Sequence, residues 1–139
     1  SDGSANQLLK TDGSGNMSWT TVSGATLTNS ANEDSTTTVS NSTITTIDSF
    51  AHATFRGGRY VISIKADQGG GDLKYETHDL LVTHDGTTAY FSQNSVKSHT
   101  GSDLCTFSVD INGSDFRLRV INGGGGTNVY KTYRNLLNV

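Results

Sequence analysis

CTFSVDINGSDFRLRV, residues 105–120, is the stretch whose pattern settles the fold class. Cys105, Phe107, Val109 and Ile111 fall on one face of an extended chain, and Phe116, Leu118 and Val120 on one face of the next. Between them, Asn112-Gly113-Ser114 supplies residues that tolerate positive φ. Period-two alternation on both sides of such a turn predicts a β-hairpin with one buried face. The same grammar extends in both directions. Tyr60, Ile62, Ile64 and Ala66 share a face, with Val61, Ser63 and Lys65 on the other, and a long strand pattern runs from Leu73 to Thr83. His84-Asp85-Gly86 turns it into Thr87 to Phe91, and Val129 to Val139 closes the chain as a last strand. Ile44 to Phe50 alternates more weakly. Seven to nine short strands at this spacing predict an all-β fold, an antiparallel β-sandwich or jelly roll, over residues 43–139.

Composition agrees. Of 139 residues, 64 are Ser, Thr, Asn or Gly, while Glu occurs twice, Met once and Pro not at all, so the strong helix formers are nearly missing. Apolar residues make up 32%, fewer than is usual for a globular domain, and predict a thin core that other chains help to cover. Net charge is −3, which argues against nucleic acid or anionic lipid as a partner. No apolar run is long enough to insert in a membrane as a helix, and no signal peptide is visible. The single Cys105 excludes an internal disulfide. Opening at Ser1-Asp2, the chain reads as a fragment, a processed product or part of something larger.

Ahead of the sandwich lie two further units. In residues 1–22, Gln7 to Thr11 and Met17 to Val22 flank Asp12-Gly13-Ser14-Gly15-Asn16, a second hairpin signature. Two short strands cannot bury Leu8, Leu9, Met17 and Trp19, so these are candidates for packing between chains. Residues 23–42 are almost wholly polar and read as an extended Ser/Thr-rich linker or a strand hugging the surface.

GSANQLLKTDGSGNMSWTTV (3–22) resembles a recurring segment of tailed-phage fibre and other virion proteins, G-x-x-x-Q-x-L-x-T-D-G-x-G-N-x-x-W. YETHDLLVTHDGTTAY (75–90), DLCTFSVDINGSDFRLRV (103–120) and VYKTYRNLLNV (129–139) together resemble a domain of structural proteins of marine T4-like phages, especially cyanophages. There, a strand ending T-H-D-G-T-T-A-Y precedes L-x-T-F-x-A-D-I-x-G-x-x-x-R-L-x-V; this chain differs at Ser108-Val109 and by one residue around Gly113-Ser114-Asp115. The matches cover residues 3–22 and 56–139. Gly58 to Ile64 is also similar to one strand of trimeric C1q-like jelly rolls. The resemblance implies a virion structural domain, a trimeric tail fibre or surface appendage. Its partners would be two further copies, other virion proteins and a host cell-surface glycan or protein. It implies no enzyme and no cofactor. The alternatives are a purely structural virion decoration or joint, and a carbohydrate-binding module of a larger protein.

Candidate chemistry is sparse. His78 and His84 are six strand residues apart, about 20 Å, too far to share one metal ion within a chain, and read instead as partly exposed hairpin side chains. Asp12 to Asn16 and Asp110 to Asp115 have oxygen-rich spacing but lack the later Glu of a Ca²⁺ loop, so they read as plain turns. Cys105 is in phase with Phe107 and Val109, as a buried small hydrophobe would be. No pair of carboxylates stands out for glycoside hydrolysis, which again predicts no enzyme. For glycan binding, Tyr75, Tyr90, Phe91, Tyr130 and Tyr133 are the candidates, near loops at 67–72, 92–102 and 122–128, against the alternative that they are buried in the sandwich or an interface.

Overall fold

The computed structural model describes residues 3–5, 7–21, 29–40, 43–67, 69, 71–123 and 126–138. It is all-β and antiparallel throughout, with no helix among those residues. β1 (Gln7–Thr11) and β2 (Met17–Thr21) form the N-terminal hairpin. Eight further strands make two sheets. Five of them, β3 (Ser30–Val39), β10 (Thr127–Asn138), β5 (Phe55–Asp67), β6 (Leu73–His84) and β7 (Ala89–Lys97), lie in the spatial order β3-β10-β5-β6-β7. The other three, β4 (Thr45–Ala51), β9 (Asp115–Asn122) and β8 (Cys105–Asn112), lie in the order β4-β9-β8.

One core joins the two sheets. Tyr60, Ile62, Ile64, Leu80 and Tyr130 meet Phe107, Phe116, Leu118 and Val120 there. The alternation around residues 105–120 is realised as expected, with Phe116, Leu118 and Val120 wholly buried. β4 departs from strict alternation. Ile47 and Phe50, an odd number of residues apart, are both buried because the register with β9 slips between Thr46 and Asp48. A bulge of this kind inserts one residue and turns the rest of the strand over. Phe50 then stacks on Phe116 at 4.5 Å between ring centroids.

Residues 30–39 of the Ser/Thr-rich stretch form β3, paired along its whole length with β10. Ser35 and Thr132 share a hydroxyl–hydroxyl hydrogen bond of 2.6 Å across that pair. The remainder of the stretch at residues 23–28, 41 and 42 lies outside the described residues.

The strands give the sandwich two distinct ends. The chain enters at the end that holds Ser30, Leu137, Gly57 and Thr83. Asn138 there donates its backbone N–H to the carbonyl of Asn29 at 3.0 Å. We call this the proximal end. At the distal end lie the connections after Asp67, Lys97 and Asn122.

Candidate functional site: the outer face of the five-stranded sheet

In a strand whose even residues are buried, the odd ones line the other face. On β5 and β10 the buried set includes Tyr60, Ile62, Ile64, Tyr130 and Leu136, which turns Val61, Ser63, Lys65, Lys131, Tyr133 and Leu137 outward. The register sorts this outer face into rows. The proximal row reads Ser30, Leu137, Gly57, Thr83, Tyr90. A middle row reads Asp34, Tyr133, Val61, Asp79, Asn94. Eight residues beyond the proximal row, about 27 Å along the strands, Thr38, Val129, Lys65 and Tyr75 stand side by side.

The rows differ in chemistry. Near the proximal end, Leu81 and Leu137 are 59% and 55% exposed, with Tyr90 beside them. Gly57 has no side chain to fill the space between them, and a depression of about 500 Å³ opens over it, lined by Arg59, Leu81, Thr83, Asn135 and Leu137 among others. Glycine is required at Gly57 and Gly58 by space: a Cβ would stand 2.4 Å from the Val82 carbonyl oxygen at the first and 2.3 Å from that of Asn135 at the second. Midway, Arg59 grips Asp79 through two parallel hydrogen bonds of 2.7 and 2.8 Å. Those bonds hold the Asp79 carboxyl below the usual carboxylate range. Towards the distal end, Ser63, Lys65, Tyr75, Val129 and Lys131 line a depression of about 400 Å³.

Of the five aromatic candidates, three share this face. Tyr75, Tyr90 and Tyr133 are each about half exposed, but the register spreads them along the sheet, so they do not converge on one sugar-sized site. Phe91 pairs with the buried Val82 on the edge strand β7 and is turned to the other side, still 38% exposed because three strands cannot roof five. Tyr130 has to be withdrawn as a surface candidate. It is wholly buried, its hydroxyl donating to Asn122 Oδ1 at 2.6 Å, because β10 turns its even residues inward. Leu8, Leu9, Met17 and Trp19 are all on exposed positions of the hairpin.

The histidine expectation also needs correction. His78 and His84 are buried, not partly exposed, because Leu80 and Val82 fix the inward parity of β6 and carry both histidines in with them. Both ring nitrogens of His84 find partners inside, and His78 finds one for Nε2 while its Nδ1 is buried without a partner. His84 Nε2 lies 2.7 Å from the Phe55 carbonyl oxygen, and its Nδ1 accepts the Gly86 N–H at 3.1 Å. His78 Nε2 lies 2.8 Å from Glu76 Oε2 and its ring packs edge-on against Phe107. The other Glu76 oxygen accepts the Leu104 N–H and lies 3.1 Å from His99 Nε2. One buried carboxylate therefore ties the distal connection after β7 to the back of the sheet, directly behind Tyr75.

Among the described residues, no group of three His, Cys, Asp or Glu side chains is placed to hold a metal ion. The two oxygen-rich turns use their carboxylates locally: Asp12 accepts from Ser14 and Asn16 of its own turn, and Asp110 holds Arg117 and Arg119. Cys105 is buried, which pushes its thiol up to about 12.

Sequence reasoning named the tyrosines but not Lys131, Leu81, Leu137 or Gly57. Their signal was available only as the complement of the buried residues on each strand. Which of them become neighbours depends on the order β3-β10-β5-β6-β7, and β10 lies far from both its partners in sequence.

No family model matches the chain, and no curated protein does either. Among solved structures it is similar to the tailspike protein of Acinetobacter phage vB_ApiP_P1, at 18% identity over 86% of this chain and 25% of that one, with a TM-score of 0.47. It is also similar to tailspike protein gp49 of Acinetobacter baumannii bacteriophage Fri1, a capsular polysaccharide depolymerase, at 14% identity over 80% of this chain and 20% of that one, with a TM-score of 0.44. A third likeness, at 9% identity and a TM-score of 0.37, is to the tailspike protein of Acinetobacter baumannii phage AM24, covering 79% of this chain and 26% of that one. The chain thus spans about a quarter of these proteins or less. The expectation that this chain is no enzyme is withdrawn, as one of these similar proteins is a capsular polysaccharide depolymerase.

Proposed function

We propose that this chain is a domain of a phage tail appendage on the virion surface, assembled as a homotrimer through its proximal end and its N-terminal hairpin, with the distal end turned toward the host cell. The observation that carries the reading is a group of uncovered apolar side chains at one end of the sandwich. Leu81, Leu137 and Tyr90 gather at the end through which the chain enters the sandwich, and the hairpin that precedes it exposes Leu8, Leu9, Met17 and Trp19. Apolar surface concentrated at a junction is the mark of an interface, whereas single exposed apolar residues are ordinary. The resemblance of residues 3–22 and 56–139 to virion proteins supports the same reading, with residues 1–22 joining a shaft and residues 43–139 forming the outer knob. Three weak contacts on one rigid trimer would act together on a host surface through avidity.

The proposal is tested by assembly variants. Leu81→Glu with Leu137→Glu places charge in the proximal patch without touching the core. It is expected to dissociate the trimer into folded monomers, read by sedimentation velocity alongside circular dichroism. A wild-type chain that is already monomeric, or a double variant that remains fully trimeric, would reject the proposed interface.

A further inference from the structure

We propose that Tyr75, Lys65 and Lys131 form a subsite for a carboxylated sugar, a hexuronic-acid unit of a surface polysaccharide. The inference deepens the host-contact reading and rests on it. Two features distinguish this corner of the sheet.

The first is its charge. The sandwich has four lysines. Lys97 is paired with Asp103, and Lys74 lies 3.4 Å from Asp72. Lys65 and Lys131 make no ion pair among the described residues, although they are diagonal neighbours on β5 and β10, Lys65 opposite Val129 and Lys131 opposite Ser63. Diagonal positions of this kind lie about 7–8 Å apart, within reach of one anion for two long flexible side chains. Of the nearby acids, Glu76 is buried on the other side of β6 and Asp67 accepts the Gly69 N–H, while Asp34, opposite Tyr133, is a diagonal neighbour of Lys131 and makes no ion pair with it. Two adjacent ammonium groups outside any ion pair favour an anion held between them.

The second feature is shape. Tyr75 is directly opposite Lys65 in the register and offers an amphipathic ring, while Ser63 is too small to fill the space in front of it. Val129 supplies an apolar wall to the resulting depression of about 400 Å³. An aromatic face takes the C–H side of a pyranose, and the two ammonium groups take its carboxylate. Lysines act as hydrated point charges rather than a planar fork, which suits a shallow, solvent-exposed contact with an exchangeable sugar. The platform is also held in place from behind. Tyr75 N–H donates to Ser98 Oγ at 3.0 Å, and Ser98 N–H donates back to the Tyr75 carbonyl at 2.9 Å.

The test uses the whole chain, ¹⁵N-labelled, titrated with oligosaccharides of glucuronate, galacturonate and mannuronate and with the same oligosaccharides after carboxyl reduction. At least one uronate series is expected to shift the backbone signals of residues 63–65, 75 and 129–131, with an affinity near ~1 mM per site. The carboxyl-reduced form is expected to bind at least about tenfold more weakly, and raising salt to about 0.5 M should weaken the uronate similarly. Lys65→Gln and Lys131→Gln should each weaken binding several-fold, and Tyr75→Ala should abolish it, with the remaining signals unchanged as proof of folding. Equal binding of the reduced sugars, shifts elsewhere on the domain, or no shift with any uronate at about 10 mM would each overturn the proposal. A trimer that fails this titration leaves the assembly reading standing. A monomer that passes it leaves the subsite standing and removes the trimer.

Discussion

Cys105 shows how far one side chain's chemistry follows from its phase on a strand. Its alternation with Phe107 placed it in the core, and the structure finds it buried with its thiol pushed up to about 12 by desolvation. Native protein at pH 8 is therefore expected to resist iodoacetamide and to be alkylated once unfolded in guanidinium, as read by intact mass. Arg134 could not have been placed in the same way. It is buried among β10's inward residues, donating to Asp48 Oδ2 at 2.6 Å and to the Ser49 carbonyl at 2.7 Å, and it reaches Glu33 on β3. Its partners lie about a hundred or nearly ninety residues upstream, so only strand order brings them together. Removing it leaves Asp48 without its cation, and Arg134→Ala is expected to cost about 3–5 kcal/mol in urea unfolding. His78 and His84 make the complementary point. Polar residues read as exposed by type alone, but Leu80 and Val82 impose the parity of the whole strand, and hydrogen bonds to Glu76 and Phe55 make burial tolerable.

At the scale of elements, hairpins with strong alternation were legible and the polar edge was not. The 105–122 hairpin appears where its turn residues put it, whereas β3 (Ser30–Val39) carries almost no apolar signal and owes its place to hydrogen bonding along β10. The bulge in β4 was equally invisible, since it is defined by the register against β9. At Gly57 and Gly58 a side chain on β5 would collide with the neighbouring strands. Gly58→Ala would drive a Cβ to 3.0 Å from Leu136 Cα as well as against the Asn135 carbonyl, and is expected to destabilise the domain by about 1–3 kcal/mol in thermal or urea unfolding. The turn joining β6 to β7 has its own pH signature. Backbone N–H groups of Thr88 and Thr87 donate to Asp85 and lower its carboxyl to about 2. A depressed carboxyl stabilises the folded turn above its unfolded pKa of about 3.9. That contribution fades as pH falls below this value and is gone beneath about 2. Asp85→Asn should therefore lower the melting temperature at pH 6 and make little difference at pH 2.

For the whole molecule, the excess of Ser, Thr, Asn and Gly divides between a polar edge strand and the turns, and the thin core is shared by two sheets of unequal width. The wider sheet leaves an outer face with Leu81 and Leu137 exposed near one end and Tyr75, Lys65 and Lys131 near the other, where Leu73 and Val96 are exposed as well. The two proposals divide that face, assembly at the proximal end and recognition at the distal end. If the hairpin takes part in assembly, Trp19→Ser should weaken association more than it lowers the melting temperature of the sandwich, since Trp19 is outside the core that joins the two sheets. Sedimentation velocity of the intact chain at tens of micromolar tests the account most directly. It predicts one species of three times the 14.7 kDa of a single chain, and a monomer persisting across that concentration range would contradict it.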